Sequence, residues 1–412
     1  MRKRYMTKWI LYVSVIFALW STNAHAQLQH KTQLIDPHHS MDKIWKKLDA
    51  LRRCEETTLT IVHLGDSHIQ AGYLSGEVMR RFHRGFGNAG RGLILPLKLS
   101  HSNEPFDYYI SSHLRNWTSA KSTQHHKKTK IGPGGIGLMT KSKPINFNLC
   151  VTPIHGAGYE FDKVLMYRDQ NALPLVATGR SKGNVITKHA LSIEAEDMKV
   201  DTFYFDKPSD TLQLINVARG KPNFKGNIYY GFSLQKGDRG VLYHSVGVNG
   251  AMFINYTDED FIRRLSELKP DLLIVSMGTN ESFGRRFSEH DFGWQANTFL
   301  DLVKRYLPQT TIMLTTPPEC YKRIHRRYVR NENTERVAKT LVNIAHKRGI
   351  ACFDLFAATG GKGSSLWWYE NHLMARRRIH FTVEGYTKQA DLLFEAMMNS
   401  YKFRSKEDGL LH

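Results

Sequence analysis

The chain has 412 residues, 41% of them hydrophobic and 11% aromatic, enough to bury a sizeable core in two or three domains. Lys and Arg number 58 against 38 Asp and Glu, a formal net charge of +20. A disordered chain, a collagen, a coiled coil and a disulfide-dense miniprotein are excluded. Apolar residues run throughout, no Gly-X-Y period or sustained heptad occurs, and Cys numbers 4. The basic excess predicts an anionic partner without choosing between nucleic acid, membrane and acidic polymer.

Arg2, Lys3, Arg4 and Lys8 precede an apolar run from Ile10 to Trp20, and Ala24-His25-Ala26 supplies a small-x-small cleavage pattern before Gln27. This layout predicts a secretory signal peptide over 1–26, its apolar run too short to span a bilayer. No later run of about 18 apolar residues follows, so no stable membrane insertion is expected after cleavage. Export removes genomic DNA from reach, which argues against nucleic acid as the partner. Of Cys54, Cys150, Cys320 and Cys352, the last two fall at opposite ends of strand-like runs, too far apart to bridge. Mostly buried thiols are expected, and no metal site, because no paired Cys/His spacing occurs.

The elements then follow in order. Ser40 to Arg53 reads as an amphipathic helix capped by Ser40. Leu59 to Leu64 is a short apolar strand ending at Gly65, and Leu74 to Phe82 is helical. From about 100 to 240 the rhythm changes. A Gly-rich stretch, Gly132 to Gly137, is followed by β-type runs at Ile145–Val151, Lys163–Tyr167, His189–Glu194, Asp201–Phe205, Thr211–Val217 and Asn227–Leu234. Val241 to Val246 is a strand, and Thr257 can cap a helix that runs to Leu268 and stops at Pro270. Leu272–Ser276, Thr311–Thr315 and Ala351–Phe356 are strands. Phe292–Tyr306, Asn331–Lys347 and Glu384–Met398 are helices. Alternating strands and helices predict a three-layer, flavodoxin-like α/β domain with a five-stranded parallel sheet, residues 27–100 and 240–412. The region 101–239 predicts an inserted all-β sandwich. In such α/β folds ligands bind beyond the carboxyl ends of the strands.

Chemistry-bearing residues gather on that face. Gly65-Asp66-Ser67-His68 ends the first strand, where Gly permits a sharp turn and a following helix aims its N–H groups at Ser67. Asn249-Gly250 ends the second strand, Gly278-Thr279-Asn280-Glu281 the third, and His380-Phe381-Thr382 precedes the last helix. Four such blocks in order resemble the SGNH (GDSL) hydrolase superfamily. The resemblance implies Ser67 as nucleophile and His380 as the base that takes its proton and returns it to the leaving alcohol. It also implies an oxyanion hole made of the Ser67 N–H, the Gly250 N–H and the Asn280 amide. Asp66 is expected to brace the turn. His63-Leu-Gly-Asp-Ser-His-Ile-Gln70, Phe86-Gly-Asn-Ala-Gly90 and Tyr243 to Gly250 around a β insert look further like periplasmic peptidoglycan O-acetylesterases. In that group the insert resembles a carbohydrate-binding module. The implied partner is an O-acetylated glycan, peptidoglycan or another polysaccharide, the implied site secreted and periplasmic, with no cofactor. An acetyltransferase and a non-catalytic glycan-binding protein stand as alternatives.

The pattern breaks at one place. The superfamily carries Asp three residues before its catalytic His, and here that residue is Arg377. Arg has donors only and its charge opposes an imidazolium. A backbone carbonyl could orient His380 instead, or Asp354 or Glu370 could substitute, or hydrolysis could be lost. Glu384 reads as a first-turn helix residue. Trp367-Trp368-Tyr369 reads as a loop segment that anchors the loop or stacks on a sugar. His68, Arg285, Trp367 and Trp368 are candidates for the substrate rim, as are Arg286 and Arg376 to Arg378. His63 reads as a satisfied core residue, and Pro317-Pro318-Glu319 as a strand terminator.

Overall fold

A computed structural model describes residues 33–407 apart from 56, 153–158, 179–184, 187–192, 196 and 217–224. The signal-peptide segment 1–26 and part of the His189–Glu194 and Thr211–Val217 runs lie outside the described residues.

Five strands build one parallel sheet: β1 (Thr58–Gly65), β2 (Gly240–Gly247), β3 (Leu272–Ser276), β4 (Thr311–Thr315) and β5 (Ala351–Phe353). Their spatial order is β2-β1-β3-β4-β5, every neighbouring pair parallel. This is the flavodoxin-like order, with its crevice where the order reverses at β1 and β3. The strands are short runs of apolar residues because helices cover both faces, and Leu272 to Val275 are all buried.

The helices are α1 (Asp42–Arg52), α2 (Ser67–Gln70), α3 (Tyr73–Phe86), α4 (Glu259–Ser266), α5 (Glu289–Tyr306), α6 (Asn333–Arg348), α7 (Ser364–Glu370) and α8 (Val383–Glu407). Helices α1, α3 and α8 pack together, as do α4, α5 and α6, which gives the sheet its two helical layers. No helix among the described residues is long and apolar enough to cross a membrane.

Two caps differ from expectation. Ser40 does not cap α1; its N–H and Oγ both bond Asp36, whose carboxylate also takes the Met41 N–H. Asp258, not Thr257, caps α4 by accepting from Phe261 N, while Thr257 turns back to the Phe253 carbonyl. At α4 the carboxylate takes a first-turn N–H and its charge also complements the helix dipole. Trp367 and Trp368 stand on the short helix α7 rather than in a loop.

A polar chain crosses the middle of the parallel sheet. His63 of β1 bonds Tyr243 of β2 at 2.8 Å and Ser276 of β3 at 2.7 Å, and Ser276 bonds Thr315 of β4 at 2.7 Å. Burial holds the His63 ring neutral, pushed down to about 3. Satisfied in this way, a buried polar row is tolerated and fixes the strand register.

After α3, the described residues from Gly92 to Gln235 are built mainly of antiparallel β-strands. One antiparallel sheet runs Ile193–Ala195, Met198–Ser209, Phe161–Asp169, Asn227–Gln235, Ile136–Thr140, Thr118–Lys121, with Gly92–Ile94 added on Asn227–Gln235 and Val185–Ile186 on Met198–Ser209. A second runs Tyr108–Ser111, Asn146–Val151, Thr211–Ile215, Val176–Thr178. Phe147 of the second sheet meets Tyr229 and Phe232 of the first, both at 5.4 Å between ring centres, and Trp117 stacks on Phe147. The second half of the Gly-rich stretch is strand, since Ile136 and Gly137 open Ile136–Thr140.

This β unit is held against the α/β unit by polar clamps. Arg91 and Asp107 form a fully buried, two-bonded ion pair where the chain passes from one unit to the other. Leu93 N donates to His244 Nδ1 of β2 at 3.0 Å. Arg264 of α4 pairs with Asp197 and donates to the Ile131 carbonyl at 2.8 Å. The four thiols are free: Cys320 and Cys352 are buried, Cys150 half-buried and Cys54 exposed. Cys54 departs from the buried expectation because it follows the last turn of α1, where the chain turns out with a left-handed φ of 62°.

Candidate active site

The carboxyl ends of β1, β2 and β3 carry the candidate residues. β1 runs straight into α2, so Ser67 is the first residue of a helix and its N–H has no intrahelical partner. Asp66 caps that helix, its carboxylate taking the His68 N–H at 2.9 Å. Gly65 and Gly247 pair side by side in the sheet. A Cβ on Gly247 would lie 2.2 Å from the Gln70 backbone nitrogen, so only Gly lets α2 approach β2 this closely.

The sequence brings Ser67 and His380 together across nearly the whole chain. Ser67 Oγ lies 2.9 Å from His380 Nε2. The histidine loop is tight: Ala375 N donates to the His380 carbonyl at 2.9 Å, Arg378 N to the Ala375 carbonyl at 2.8 Å, and Met374 bridges Phe381. Arg377 sits exposed at the tip of this loop. Trp368, 3% exposed, anchors it by donating its indole N–H to the Thr359 carbonyl and packing edge-on against Phe381. Of the expected rim residues, Trp367 and Arg285 are exposed, whereas Trp368 is core.

No hydrogen bond reaches His380 Nδ1 among the described residues. The two substitute acids are elsewhere. Asp354 caps the turn at Leu355–Ala358, bonding Ala357 N and Thr316 Oγ1. Glu370 is exposed at the end of α7. Both were read from sequence proximity, and local capping and solvent claim them instead. The acid nearest in effect is Asp66. Burial, followed by His68 and Arg377, holds the His380 imidazole down to about 4, while the Asp66 charge pulls the other way. Burial in turn pushes the Asp66 carboxyl up to about 7.

Gly250 has a φ of +79°, open space around its α-carbon and no hydrogen bond on its N–H among the described residues. Its loop is fixed by Gln70, a residue not picked out from the sequence. Gln70 accepts the Asn249 N–H at 2.8 Å and donates to Ser102 Oγ and the Asn103 carbonyl. Asn280 stands between the two turns. Its amide donates to Asp66 at 3.0 Å and to the Ala251 carbonyl at 2.9 Å, so both amide hydrogens are engaged. Among the described residues the N–H groups of Ser67 and Gly250 carry no hydrogen bond, while Asn280 braces Asp66 against the Gly250 loop.

Behind them lies a second buried carboxyl that residue types alone did not flag. Glu281 takes the Phe253 N–H at 2.8 Å, and burial pushes it up to about 7, the charge of Asp66 adding to the rise. His68 is buried, bonds Tyr386 Oη through Nδ1 at 2.9 Å and lies 5.1 Å from the His380 ring. It belongs to the floor of the site rather than its rim, and burial holds it neutral, down to about 4.

These shifts have a sign. His63, His68, His83, His244 and His380 are all depressed well below the ordinary 6.5 by burial. Their contribution to stability is present above about 6.5 and is lost as acid charges the unfolded chain first. Asp66 and Glu281 act oppositely: raised to about 7, they favour the fold below their unfolded values and lose that contribution as pH rises through 7. Five depressed histidines outweigh the raised carboxyls, which also include Glu104 and Asp391. The expected result is a melting temperature that falls steadily from pH 7 to pH 5. A flat or rising trend in a calorimetric series would contradict it.

Residues 221–388 match the model of the GDSL-like Lipase/Acylhydrolase family. The match includes Gly250, Asn280 and His380; Ser67 lies upstream, separated by the β unit and returned by the pairing of β1 between β2 and β3. No curated protein matches the chain. Among solved structures, one of a peptidoglycan O-acetylesterase is 19% identical and covers 90% of this chain and 99% of its own, with a TM-score of 0.73. An acetyl xylan esterase is 16% identical over 38% of this chain and 81% of its own, TM-score 0.31. A GDSL-like lipase from Bacteroides thetaiotaomicron is 18% identical over 39% of this chain and 76% of its own, TM-score 0.29. The first shares the fold of the chain, β unit included; the other two scores are too low to carry an argument. Through residues 221–388 the chain carries a GDSL-like lipase/acylhydrolase domain, an ester-hydrolase domain of the SGNH type.

Proposed function

We propose that the protein is an exported serine esterase that removes O-acetyl groups from a cell-wall glycan, with peptidoglycan as its substrate. The observation that carries this reading is the 2.9 Å contact of Ser67 Oγ with His380 Nε2, with the Ser67 and Gly250 N–H groups carrying no hydrogen bond among the described residues. The basic, apolar and small-residue layout of 1–26 supports export to the periplasm.

The chemistry follows from the donors. Neutral His380 accepts the Ser67 proton at Nε2, so its own proton is on Nδ1. Ser67 Oγ attacks the acetyl carbonyl, and the new oxyanion is met by the N–H groups of Ser67 and Gly250. His380 passes the proton to the departing sugar hydroxyl, leaving acetyl on Ser67. Water, deprotonated by His380, then releases acetate. Asp66, buried beneath the turn, supplies the negative field that a triad Asp would give.

Two expected results test these roles. The value of kcat/KM rises with pH as His380 loses its proton near 4, then gains again near 7 as Asp66 acquires its charge. A single limb at 6.5 in the pH–rate profile would remove the buried-base reading. Arg377→Asp restores an acceptor at the loop tip. It is expected to raise kcat about 10-fold and the kinetic pKa by about a unit, since one unit is worth about 1.4 kcal/mol. No change in either would show that Asp66 already does the work of the absent acid.

The substrate assignment is tested by acetate release from O-acetylated peptidoglycan, from acetylated xylan and from a small acetyl ester. Release from xylan but not peptidoglycan would redirect the substrate. Peptidoglycan binding by wild-type protein without acetate release from any of the three would favour the glycan-binding reading. That reading draws on Arg377 and on the bare Nδ1 of His380.

A further inference from the structure

We infer that a hairpin beside the histidine loop makes a cationic and aromatic platform that selects acidic, carboxylate-bearing acetylated glycans over neutral ones. The inference deepens the esterase reading and depends on it for the position of the acetyl group.

Two short strands, Tyr321–Ile324 and Arg327–Arg330, pair antiparallel between β4 and α6. Their polar, basic sequence carries no strand pattern, which is why the sequence reading missed them. The hairpin tip is His325-Arg326, with φ of 44° and 67°. A two-residue turn with both φ positive is the place for Asn-Gly, and this chain puts two cation-forming side chains there against backbone preference. Arg378, at φ 54°, is a third such residue. Backbone strain of this kind gathers where a site needs particular side chains.

The hairpin is tied to the loop that holds His380. Tyr321 N donates to the Arg378 carbonyl at 2.8 Å. The Arg378 guanidinium lies over the rings of Tyr369 at 4.0 Å, Tyr321 at 5.0 Å and Tyr328 at 5.6 Å. Its Nε is buried without a hydrogen-bond partner among the described residues. Ring faces thus fix the guanidinium in place without cancelling its charge.

Arg330, at the base of the hairpin, is held by Glu319, Glu332 and Glu335, but the rest of the surrounding charge is uncompensated among the described residues. Lys322, Arg323, Arg326, Arg327, Arg376 and Arg377 make no ion pair among the described residues. By contrast Arg305, Arg336 and Arg348 on the helices each hold a carboxylate. Trp367, 51% exposed, and Tyr328, 38% exposed, offer faces on which a sugar ring can stack. Stacking alone would accept any glycan. Unpaired cations at the mouth of the site add attraction only for a polymer that carries carboxylates, and they act mainly on capture.

The experiment compares wild type with Arg323→Ser/Arg327→Ser on three substrates at low and high salt. These are a small neutral acetyl ester, acetylated xylan, and O-acetylated peptidoglycan fragments with free peptide carboxylates. The variant is expected to lose about 10-fold in kcat/KM on the fragments relative to the small ester, through KM. The same relative loss on xylan should be under about twofold, and high salt should narrow the difference between wild type and variant. Equal losses on fragments and xylan, or no relative loss on fragments, would overturn the platform. Calorimetric titration of Ser67→Ala protein, with and without the two hairpin changes, against the same fragments separates this from the esterase reading. Fragment binding weakened by the hairpin changes supports the platform even where wild type releases no acetate, and unchanged binding overturns it.

Discussion

Ser67→Ala is expected to lower kcat on a small acetyl ester by about 10⁴-fold or more, with little change in folding. Nucleophile and base act as one unit, so loss of either removes nearly the whole covalent route. The residual rate would come from the two backbone N–H groups and substrate binding alone. His380→Ala is expected to give a similar loss, and the double variant no further one. The structural cost should be small, because among the described residues Ser67 Oγ bonds only His380 Nε2 and the helix cap belongs to Asp66. Melting temperatures within a few degrees, together with the lost rate, are the measurements to make. A Ser67→Ala protein that still turns over the ester within about tenfold of wild type would end the nucleophile assignment.

The second large effect is one of stability. Asp107→Ala is expected to cost about 3–5 kcal/mol, since it leaves the Arg91 guanidinium buried without its counter-charge. Arg91 also lies over the Tyr108 ring at 5.3 Å and bears on His244, so the stranded cation would disturb the junction between the two units. Replacing both partners by apolar residues of similar size, Arg91→Met with Asp107→Leu, is expected to be far milder, because the penalty is for an unpaired charge and not for a lost contact. Denaturant midpoints of the two variants check this. A single variant as stable as the double one would mean that water reaches the pair.

Much of the fold was legible in the residues. The β3 and β4 strands, Leu272–Ser276 and Thr311–Thr315, are bounded as their apolar runs suggest, because strands buried on both faces read as near-continuous apolar runs. Strands of the β unit with alternating burial, such as Asn146–Val151, were legible too. Those with small or basic residues, Thr118–Lys121 and the Tyr321–Arg330 hairpin, were not, since nothing in their pattern separates strand from loop. At the site, motif spacing brought out Ser67, Gly250, Asn280 and His380. It could not show that both Asn280 amide hydrogens are engaged, or that Gln70 fixes the Gly250 loop. Those facts depend on contacts such as Gln70 to Asn249, 179 residues apart. Asp354 and Glu370 were offered because a missing acceptor invites a nearby acid in sequence, but distance along the chain is no guide to distance across a loop.

The pairing of Gly92–Ile94 with Asn227–Gln235 has a consequence for how the chain assembles. β1 is the sheet's second strand, and its partner β2 comes from far along the chain: His63 and Tyr243, joined by a hydrogen bond, are 180 residues apart. Closing so long a loop in one step is entropically costly and slow. In the native chain the β unit closes that loop, because its entry strand Gly92–Ile94 pairs with its exit strand Asn227–Gln235 and brings the chain back to β1. Ser67 and His380 are 313 residues apart on either side of the β unit, so a chain cut anywhere between them would separate the two halves of the proposed catalytic pair.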